Sequence, residues 1–256
     1  MGDIIKEFFV DNLHVRVCRD RRALGRAAAG EVAARVRELL GHKERVGMIF
    51  AAAPSQDEFL AALAAAPGID WPRVAAFQMD EYLDLPAGAP QSFGRYLRDH
   101  LFDRVRPGMV HFLDGNAADP DAECRRYAAL LAAAPPDIVC LGIGENGHLA
   151  FNDPPADFDD PAAVRPVALE ARCRMQQVHD GCFATLDQVP ARALTLTIPA
   201  LFAASWIYGI VPGAAKREAV ARALRGAIGA DCPASILRRH GRAILFLDPQ
   251  SAGMEM

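Results

Sequence analysis

The stretch Ile138-Val-Cys-Leu-Gly-Ile-Gly-Glu-Asn-Gly-His-Leu-Ala-Phe-Asn-Asp-Pro154 decides the fold that we predict for this chain. Its first four residues form an apolar run, which predicts a short and fully buried strand. Three glycines follow, so the backbone there can adopt positive φ or approach a ligand closely. His148 and Asp153 then lie in a loop at the carboxyl end of the strand, where open α/β sheets bind ligands. A histidine and a carboxylate on such a loop favour a role in proton transfer.

Two other interpretations of this loop stay open at the level of the residues. The pattern Gly142-x-Gly144-x-x-Gly147 fits the dinucleotide-binding fingerprint, and Glu170 lies at a suitable distance downstream. That interpretation needs a helix that opens at the third glycine, yet Pro154 and the proline after it leave under two turns for one. The other interpretation is a glycine-rich turn with an incidental histidine.

The composition argues against several classes of protein. The chain has 256 residues, of which 52% are hydrophobic, and a formal net charge of −4. This charge disfavours nucleic acid or an anionic membrane as a partner. The six cysteines show neither a C-x-x-C pair nor metal-ligand spacing, which predicts free thiols, no metal and a cytoplasmic location. No apolar run approaches the length of a membrane span, and residues 1–7 do not resemble a signal peptide.

Predicted strands and helices alternate along the chain, without an internal repeat or a linker. Strands are predicted at residues 13–18, 46–51, 73–79, 109–113, 138–141, 164–169, 193–198, 205–211 and 242–247, and helices at 19–40, 55–66, 92–102, 120–134 and from about 216 to 224. Residues 170–183 are polar and show no firm period. This alternation predicts one α/β domain over residues 1–256, with a single doubly wound, mostly parallel sheet covered by helices on both faces, as in Rossmann-like folds.

Two adjacent carboxylates follow the strand predicted at 73–79. Asp80 and Glu81 lie just past its end, and neighbouring residues there point in different directions, so only one of them can face a ligand. The structural alternative is that Asp80 caps a turn.

Two predicted helix starts suggest a site for an anion. Ser55 is a candidate N-cap with Glu58 as its capping-box partner, and the free N–H groups of such a helix start bind phosphate. Lys216 lies near the start of a later helix, where its charge opposes the helix dipole, a cost that a bound anion would offset. The alternatives are a plain capped helix and an ordinary solvated lysine.

Two segments of the chain resemble the signatures of glucosamine-6-phosphate deaminases, which share a fold with 6-phosphogluconolactonases. They are Phe77-Gln-Met-Asp-Glu-Tyr-Leu-Asp-Leu85 and the stretch Gly142–Pro154. The resemblance extends from about residue 46 to about residue 220. It implies an enzyme that converts glucosamine 6-phosphate into fructose 6-phosphate and ammonia, with no nicotinamide cofactor and no metal.

The resemblance also implies which residues act. A neutral imidazole at 148 would open the sugar ring, and the carboxylate at 80 would move the proton from C2 to C1. The implied catalytic residues are Asp80, His148, Asn146 and Asp153, and the implied substrate- or phosphate-binding residues are Ser55, Lys216, Gly144, Gly147 and Arg172.

Three departures from the family pattern suggest a divergent branch. Asn146 stands where many deaminases have Asp, Asp153 stands where they have Glu, and the loop at Ser55 lacks their glycines. The expected partner is a phosphosugar, glucosamine 6-phosphate or a related epimer such as galactosamine 6-phosphate, and a homo-oligomer is compatible with this expectation. A 6-phosphogluconolactonase and a non-catalytic phosphosugar-binding protein remain as alternatives.

Overall fold

A computed structural model describes residues 2–254, and a large mixed sheet forms its centre. The strands are β1 (Ile4–Val10), β2 (Leu13–Cys18), β3 (Val46–Phe50), β4 (Val74–Gln78), β5 (Asp80–Tyr82), β6 (Met109–His111), β7 (Ile138–Leu141), β8 (Val164–Ala168), β9 (Arg192–Leu196), β10 (Trp206–Val211) and β11 (Ala243–Leu247). The α-helices are α1 (Arg21–Leu40), α2 (Asp57–Ala64), α3 (Phe93–Leu97), α4 (Asp103–Val105), α5 (Pro120–Ala133), α6 (Ala171–His179), α7 (Ile198–Phe202) and α8 (Arg217–Arg225). A π-helical segment, Arg98–Phe102, joins α3 to α4, and short 3₁₀ turns lie at Pro54–Gln56, Trp71–Arg73, Leu186–Gln188, Ala214–Lys216 and Pro233–Arg239.

The central sheet has eight strands in the order β1-β2-β11-β10-β7-β3-β4-β6. All neighbours pair in parallel except β1 and β2, which form an antiparallel hairpin. The chain passes outward from β3 to β4 and β6, and then returns to β7 on the other side of β3. The strand order therefore reverses between β3 and β7, which is the position where open α/β sheets form a ligand crevice. The prediction of a doubly wound, mostly parallel sheet is confirmed.

Apolar side chains cover both faces of this sheet. Along β3, Met48 and Phe50 join the core that lies against α1 and α2, whereas Ile49 joins the core on the opposite face, with α5 and α8. The strands are buried on both faces, which is why they appear in the sequence as continuous apolar runs.

A second, three-stranded antiparallel sheet with the order β5-β9-β8 was not predicted. Only Met79 separates β4 from β5, so the chain leaves the large sheet and enters the small one within a single residue. The backbone N–H of Leu196 donates to the carbonyl of Met79 at 2.9 Å, and Asp80 pairs with Thr195. The small sheet thus fixes the backbone directly at the end of β4.

Several predicted boundaries need correction. The strand predicted at 193–198 ends at Leu196, because Thr197 caps α7 through its hydroxyl, which accepts from the N–H of Ala200. The polar segment 170–183 contains helix α6, and β1 was not predicted. Helix α1 begins at Arg21, two residues later than predicted, because Asp20 caps it by accepting from the N–H of Ala23 at 2.7 Å.

The capping box predicted at Ser55 is wrong. Ser55 lies inside the 3₁₀ turn Pro54–Gln56, and α2 begins only at Asp57, without a side-chain cap. Glu58 does not return to Ser55, because its carboxylate accepts from Nε of Arg21 at 2.6 Å. The helix predicted at 120–134 is present as α5, and Asp119 caps it by accepting from the N–H groups of residues 121 and 122.

All six cysteines are free, and Cys18 and Cys140 are buried as their apolar surroundings predict. Within the described residues, no helix has the length and hydropathy that suit a bilayer crossing. The prediction of one domain over residues 1–256 includes Met1, Glu255 and Met256, which lie outside the described residues, and it stays a prediction.

Candidate active site

A cleft lies at the carboxyl ends of four adjacent parallel strands, β10, β7, β3 and β4. Each strand delivers its loop to the same edge of the sheet, across the point where the strand order reverses. The lining residues are Ala51, Ala52, Ala53, Ser55 and Gln56 after β3, Met79 and Asp80 after β4, Gly142, Ile143, Gly144, His148, Ala150 and Phe151 after β7, Phe93 of α3, Gln176 and Gln177 of α6, and Lys216 after β10. The sequence thus brings four of its predicted site residues, Ser55, Asp80, His148 and Lys216, to one cleft, together with Gly144.

The loop after β7 folds back on itself so that the imidazole lies over Gly144. The N–H of Gly144 donates to the carbonyl of His148 at 3.0 Å, and the N–H of Gly147 donates to the carbonyl of Gly144 at 2.9 Å. A Cβ atom at position 144 would lie 2.2–2.4 Å from three atoms of the His148 ring, so only glycine leaves room for the ring. No helix opens at Gly147, and the dinucleotide-binding interpretation is therefore excluded for this loop.

His148 Nδ1 lies in a network with Asn146 and Asp153. Asn146 Oδ1 is 2.8 Å from His148 Nδ1 and also accepts from the backbone N–H of His148, while Asn146 Nδ2 donates to Asp153 Oδ1 at 2.8 Å. An amide oxygen can only accept, so Nδ1 carries the proton and Nε2 is left unprotonated in the neutral ring. This is the tautomer that a general base on the cleft side requires.

Asp153 supports the same tautomer with a charge. Its Oδ1 lies 3.2 Å from His148 Nδ1, and its Oδ2 accepts from the backbone N–H of Glu170 at 3.1 Å. Burial raises the pKa of Asp153, but hydrogen bonds and charge from His148, and hydrogen bonds from Asn146 and Glu170, together bring the pKa below its ordinary value. Asp153 is therefore ionised at neutral pH and stabilises an imidazolium at position 148.

Asp80 and Glu81 have different surroundings because side chains alternate along β5. Asp80 lines the cleft, is 7% exposed, and accepts no hydrogen bond at its carboxylate from any residue within 2–254. Burial, and secondarily the nearby charge of Glu81, raise its pKa well above the ordinary value. A buried carboxylate without a partner and with a raised affinity for protons is suited to accept a proton from a substrate.

Glu81 instead anchors the start of helix α3. Its Oε1 accepts from the N–H of Phe93 at 3.1 Å, and its Oε2 accepts from the N–H of Gly94 at 2.9 Å and the hydroxyl of Ser92 at 3.0 Å. Gln78 also donates to Oε2 at 2.9 Å. These contacts occupy the Glu81 carboxylate, which does not line the cleft.

The opposite side of the cleft carries a cation and hydrogen-bond donors. Lys216 is 6% exposed and forms no ion pair within residues 2–254; burial lowers its pKa, while the charges of Asp180 and Glu145 act in the opposite direction. Gln56 Nε2 donates to the hydroxyl oxygen of Ser55 and to the carbonyl of Ile210, each at 3.1 Å. Since Ser55 accepts from Gln56, its own O–H is free to donate into the cleft.

Two predicted binding residues lie elsewhere. Arg172 does not line the cleft, and its Nη2 lies 3.3 Å from the Glu145 carbonyl and 3.3 Å from Glu218, so its role as a phosphate ligand stays a prediction. Arg174, the other arginine of this helix, donates to the carbonyls of residues 186 and 189. Gly147, with φ of +94°, lies in the turn and packs against Cys232 outside the residues that line the cleft, so its binding role also stays a prediction.

Sequence reasoning missed the three glutamines of the cleft, Gln56, Gln176 and Gln177. The amide of Gln176 accepts from the N–H of Glu145 at 2.8 Å and thereby ties α6 to the loop after β7. The pair at 176–177 lies in the polar segment that had no firm period, and glutamine alone gives no signal of a site. Only the packing of α6 against the cleft identifies these residues.

One group of side chains within residues 2–254 has ligand atoms close enough to hold a metal ion. The nitrogen, oxygen and sulfur of His148, Asp153 and Cys173 lie within 4.8 Å of one another. The proton on His148 Nδ1 occupies the position that a metal would need, and burial raises the pKa of the Cys173 thiol far above its ordinary value. The group is therefore better described as part of the hydrogen-bond network than as a metal site.

Comparison with known proteins agrees with this arrangement. The chain is 33% identical over 186 residues to the glucosamine-6-phosphate deaminases of Bacillus cereus strain G9842 and Bacillus thuringiensis strain Al Hakam, which covers 73% of this chain and 70% of each relative. A solved structure of a monomeric glucosamine-6-phosphate deaminase superposes with a TM-score of 0.86 at 29% identity, covering 94% of this chain and 99% of that one.

A 6-phosphogluconolactonase from Thermotoga maritima has the same fold, with a TM-score of 0.76 at 20% identity, covering 92% of this chain and 99% of that one. The family model described as glucosamine-6-phosphate isomerases/6-phosphogluconolactonase matches residues 19–245. This match and the identity to the Bacillus relatives place the chain in the glucosamine-6-phosphate isomerase/6-phosphogluconolactonase family.

Proposed function

We propose that this protein is an aminosugar 6-phosphate deaminase that converts glucosamine 6-phosphate and water into fructose 6-phosphate and ammonia. The observation that carries the proposal is that Asp80, a buried carboxylate without a partner, shares the cleft with His148, whose neutral ring is held with Nε2 unprotonated. A carbon acid needs a base of this kind, whereas opening of a lactone by water needs only the histidine. The relatives named glucosamine-6-phosphate deaminase support the same choice.

The phosphate would bind between Ser55 and Lys216. Lys216 is buried and has no ion-pair partner within the described chain, and the Ser55 hydroxyl is free to donate. Binding of the remote phosphate orients the sugar carbons toward the base, so that binding energy lowers the barrier of the chemical step. Without Arg172, the described residues that line the cleft supply one cationic side chain, Lys216, besides the titratable His148.

The proton transfers follow from the two remaining groups. His148 Nε2 would move the proton that opens the ring, with Asp153 stabilising the imidazolium. Asp80 would then take the proton from C2, which is acidic beside the new aldehyde, and return it to C1. The imine that forms at C2 is hydrolysed, so that water supplies the ketone oxygen and ammonia leaves.

The proposal is tested by incubating the purified protein with glucosamine 6-phosphate, galactosamine 6-phosphate and 6-phosphogluconolactone. Ammonia and acid release are followed for the wild type, Asp80→Asn, and His42→Ala as a control at an exposed histidine outside the cleft. We expect ammonia from an aminosugar phosphate, and its loss in Asp80→Asn alone. If Asp80→Asn still releases acid from the lactone, and neither aminosugar phosphate yields ammonia, the protein is a 6-phosphogluconolactonase instead. Binding of the phosphosugars without turnover of any would support the non-catalytic alternative.

The role of His148 is tested separately by comparing a closed-ring with an open-chain reaction. We expect His148→Ala to impair deamination of glucosamine 6-phosphate more than exchange of solvent deuterium into fructose 6-phosphate, which presents a carbonyl more readily. Equal losses in both assays would show that His148 does more than open the ring.

A further inference from the structure

Glu170, the residue before helix α6, touches both side chains that contact the imidazole of His148. Its Oε2 accepts from Asn146 Nδ2 at 2.9 Å, and its backbone N–H donates to Asp153 Oδ2 at 3.1 Å. Glu170 does not line the cleft, and its side chain is reached by solvent. Its only route to the reaction is therefore through Asn146 and Asp153.

The amide of Asn146 uses all of its hydrogen-bonding capacity in this network. Oδ1 accepts twice, from the N–H and from Nδ1–H of His148, and Nδ2 donates its two hydrogens to Asp153 and Glu170. Asn146 itself is neutral, so the negative charge behind the imidazole comes from the two carboxylates. Both of them hold the same NH₂ group by charge-assisted hydrogen bonds, which are stronger than neutral ones.

We infer that Glu170 is a positioning residue for His148. Its carboxylate keeps the Asn146 amide turned with the oxygen toward Nδ1 and adds a second negative charge that favours the imidazolium when Nε2 takes up a proton. The inference rests on the proposed role of His148 as a base. The titratable groups that surround the ring besides Glu170 are Asp153 of the same loop, Cys173 of α6, and Asp80 and Lys216 across the cleft.

The network predicts that two substitutions, each harmful alone, partly compensate for one another when they are combined. Glu170→Gln removes the charge and allows the new amide to compete for the Asn146 oxygen. Asn146→Asp puts a third carboxylate against Asp153 and Glu170 with no NH₂ group between them. In the double variant the amide introduced at 170 can donate to the carboxylate introduced at 146, so that this contact and the net charge are restored with donor and acceptor exchanged, whereas the hydrogen bond from position 146 to Asp153 is not.

The experiment compares Glu170→Gln, Asn146→Asp and the double variant with wild type. Glu218→Gln is a control that removes an exposed carboxylate, which among the described residues pairs only with Arg172. We expect Glu170→Gln to lower kcat about tenfold with little change in KM, the loss of one charge-assisted contact, and to shift the acidic limb of the pH–rate profile to lower pH. Asn146→Asp should lose at least as much, and the double variant should recover part of that loss, because the contact between positions 146 and 170 returns while the hydrogen bond to Asp153 does not. Glu218→Gln should leave kcat and the profile unchanged.

A titration of the His148 ring by ¹⁵N NMR separates this inference from the proposed function, because it needs no turnover. We expect the ring in Glu170→Gln to release its proton at lower pH than in wild type, and the double variant to return toward wild type. A double variant that is no better than the worse single variant, with the imidazole titration unchanged in Glu170→Gln, would show that Glu170 acts only on folding and would overturn the inference. A normal shift in the titration without any deaminase activity would leave the inference standing and remove the proposed function.

Discussion

At the scale of single residues, the adjacent carboxylates of Asp80 and Glu81 have different surroundings and different proposed roles. Both carboxylates are buried, yet that of Glu81 accepts from two backbone N–H groups of α3 and from Ser92, and that of Asp80 accepts from nothing within residues 2–254. A carboxylate that is satisfied by the protein stabilises the fold. One that is not satisfied is costly, and it is retained at sites where chemistry needs it.

We predict that Asp80→Asn lowers turnover about 10²–10⁴-fold, the usual contribution of a general base. KM should change little, because the proposed phosphate site is on the other side of the cleft. Steady-state kinetics on an aminosugar phosphate measure both values. Glu81→Gln is the matched control and should lower the free energy of unfolding while leaving turnover of the folded enzyme nearly intact; the reverse result would exchange the roles of the two residues.

Asp80→Asn should also be more stable than the wild type. The pH dependence of this difference in the free energy of unfolding identifies its cause. Burial raises the pKa of Asp80 above the ordinary value of 3.8, so its ionisation in the folded state is costly. Below pH 3.8 the Asp80 side chain is protonated in both the folded and the unfolded state, so the wild type and Asp80→Asn should differ little in stability. As the pH rises through the window up to the raised pKa, the wild type loses stability relative to Asp80→Asn, and the gap should stay constant above it. Urea unfolding at several pH values measures this gap, and a gap that shrinks with rising pH would contradict the assignment.

Lys216 gives the corresponding prediction for the anion. A hydrogen bond to a charged group contributes about 1.5–3 kcal/mol, so Lys216→Met should raise KM about 10- to 150-fold, with a smaller change in kcat.

The pKa of Lys216 is lowered by burial, so the protonated lysine destabilises the free protein below pH 10.5. Lys216→Met should thus be the more stable protein at pH 7, with the gap closing as the pH approaches 10.5. Inorganic phosphate should raise the Tm of wild type and of Lys6→Met, an exposed control outside the cleft, but not that of Lys216→Met.

At the scale of elements, the packing of α1 on α2 depends on one glycine. A Cβ atom on Gly25 would lie 2.6–2.8 Å from backbone and side-chain atoms of Glu58, whereas a Cβ on Gly30 of the same helix would meet nothing within 4 Å. The two helices therefore approach at Gly25, and the short α2 is held in place with the 3₁₀ turn that carries Ser55.

We predict opposite effects for alanine at these two glycines. Gly25→Ala should lower the free energy of unfolding by about 1–3 kcal/mol through overpacking. Gly30→Ala should raise it by about 0.5–1 kcal/mol, because alanine loses less backbone entropy in a helix. Denaturant titration measures both values. Equal changes of the same sign would mean that helix propensity, and not the approach of α2, decides the effect at position 25.

The sequence predicts elements and site residues where local signals agree. Asp80 lies two residues after the buried strand β4, and His148 lies in the loop after the buried strand β7, so the two apolar runs locate both residues at the same edge of the sheet. The choice between Asp80 and Glu81 depends on the pairing of β5 with β9, residues more than a hundred positions apart, and no local pattern encodes it. The role of Arg172 stays a prediction, because a charge on a helix says nothing about which side of the helix faces the cleft. The capping box predicted at Ser55 does not form, because Arg21, which is distant in sequence, binds the Glu58 carboxylate.

At the scale of the whole molecule, the burial of the thiols gives a test of the packing. Cys182 is half-buried, and the other five cysteines are buried. Burial raises the pKa of Cys182 to about 11, so even this thiol is mostly protonated at neutral pH. We predict that Ellman's reagent titrates all six thiols in denaturant, and at most one, slowly, in the native protein. Cys182→Ser should abolish the native reaction, and rapid reaction of several native thiols would contradict the described packing.

The place of β11 in the sheet has a consequence for how the protein is made. This strand, residues 243–247, lies between β2 and β10, so the hairpin of residues 4–18 joins the rest of the sheet only through it. At about 5–20 residues per second, a ribosome needs roughly 10–45 s to go from the end of β2 to the start of β11. During this interval the edge of β2 that pairs with β11 has no partner, and the nascent chain carries an open sheet edge. Newly synthesised copies therefore depend on chaperones or on fast completion more than the stability of the finished protein suggests.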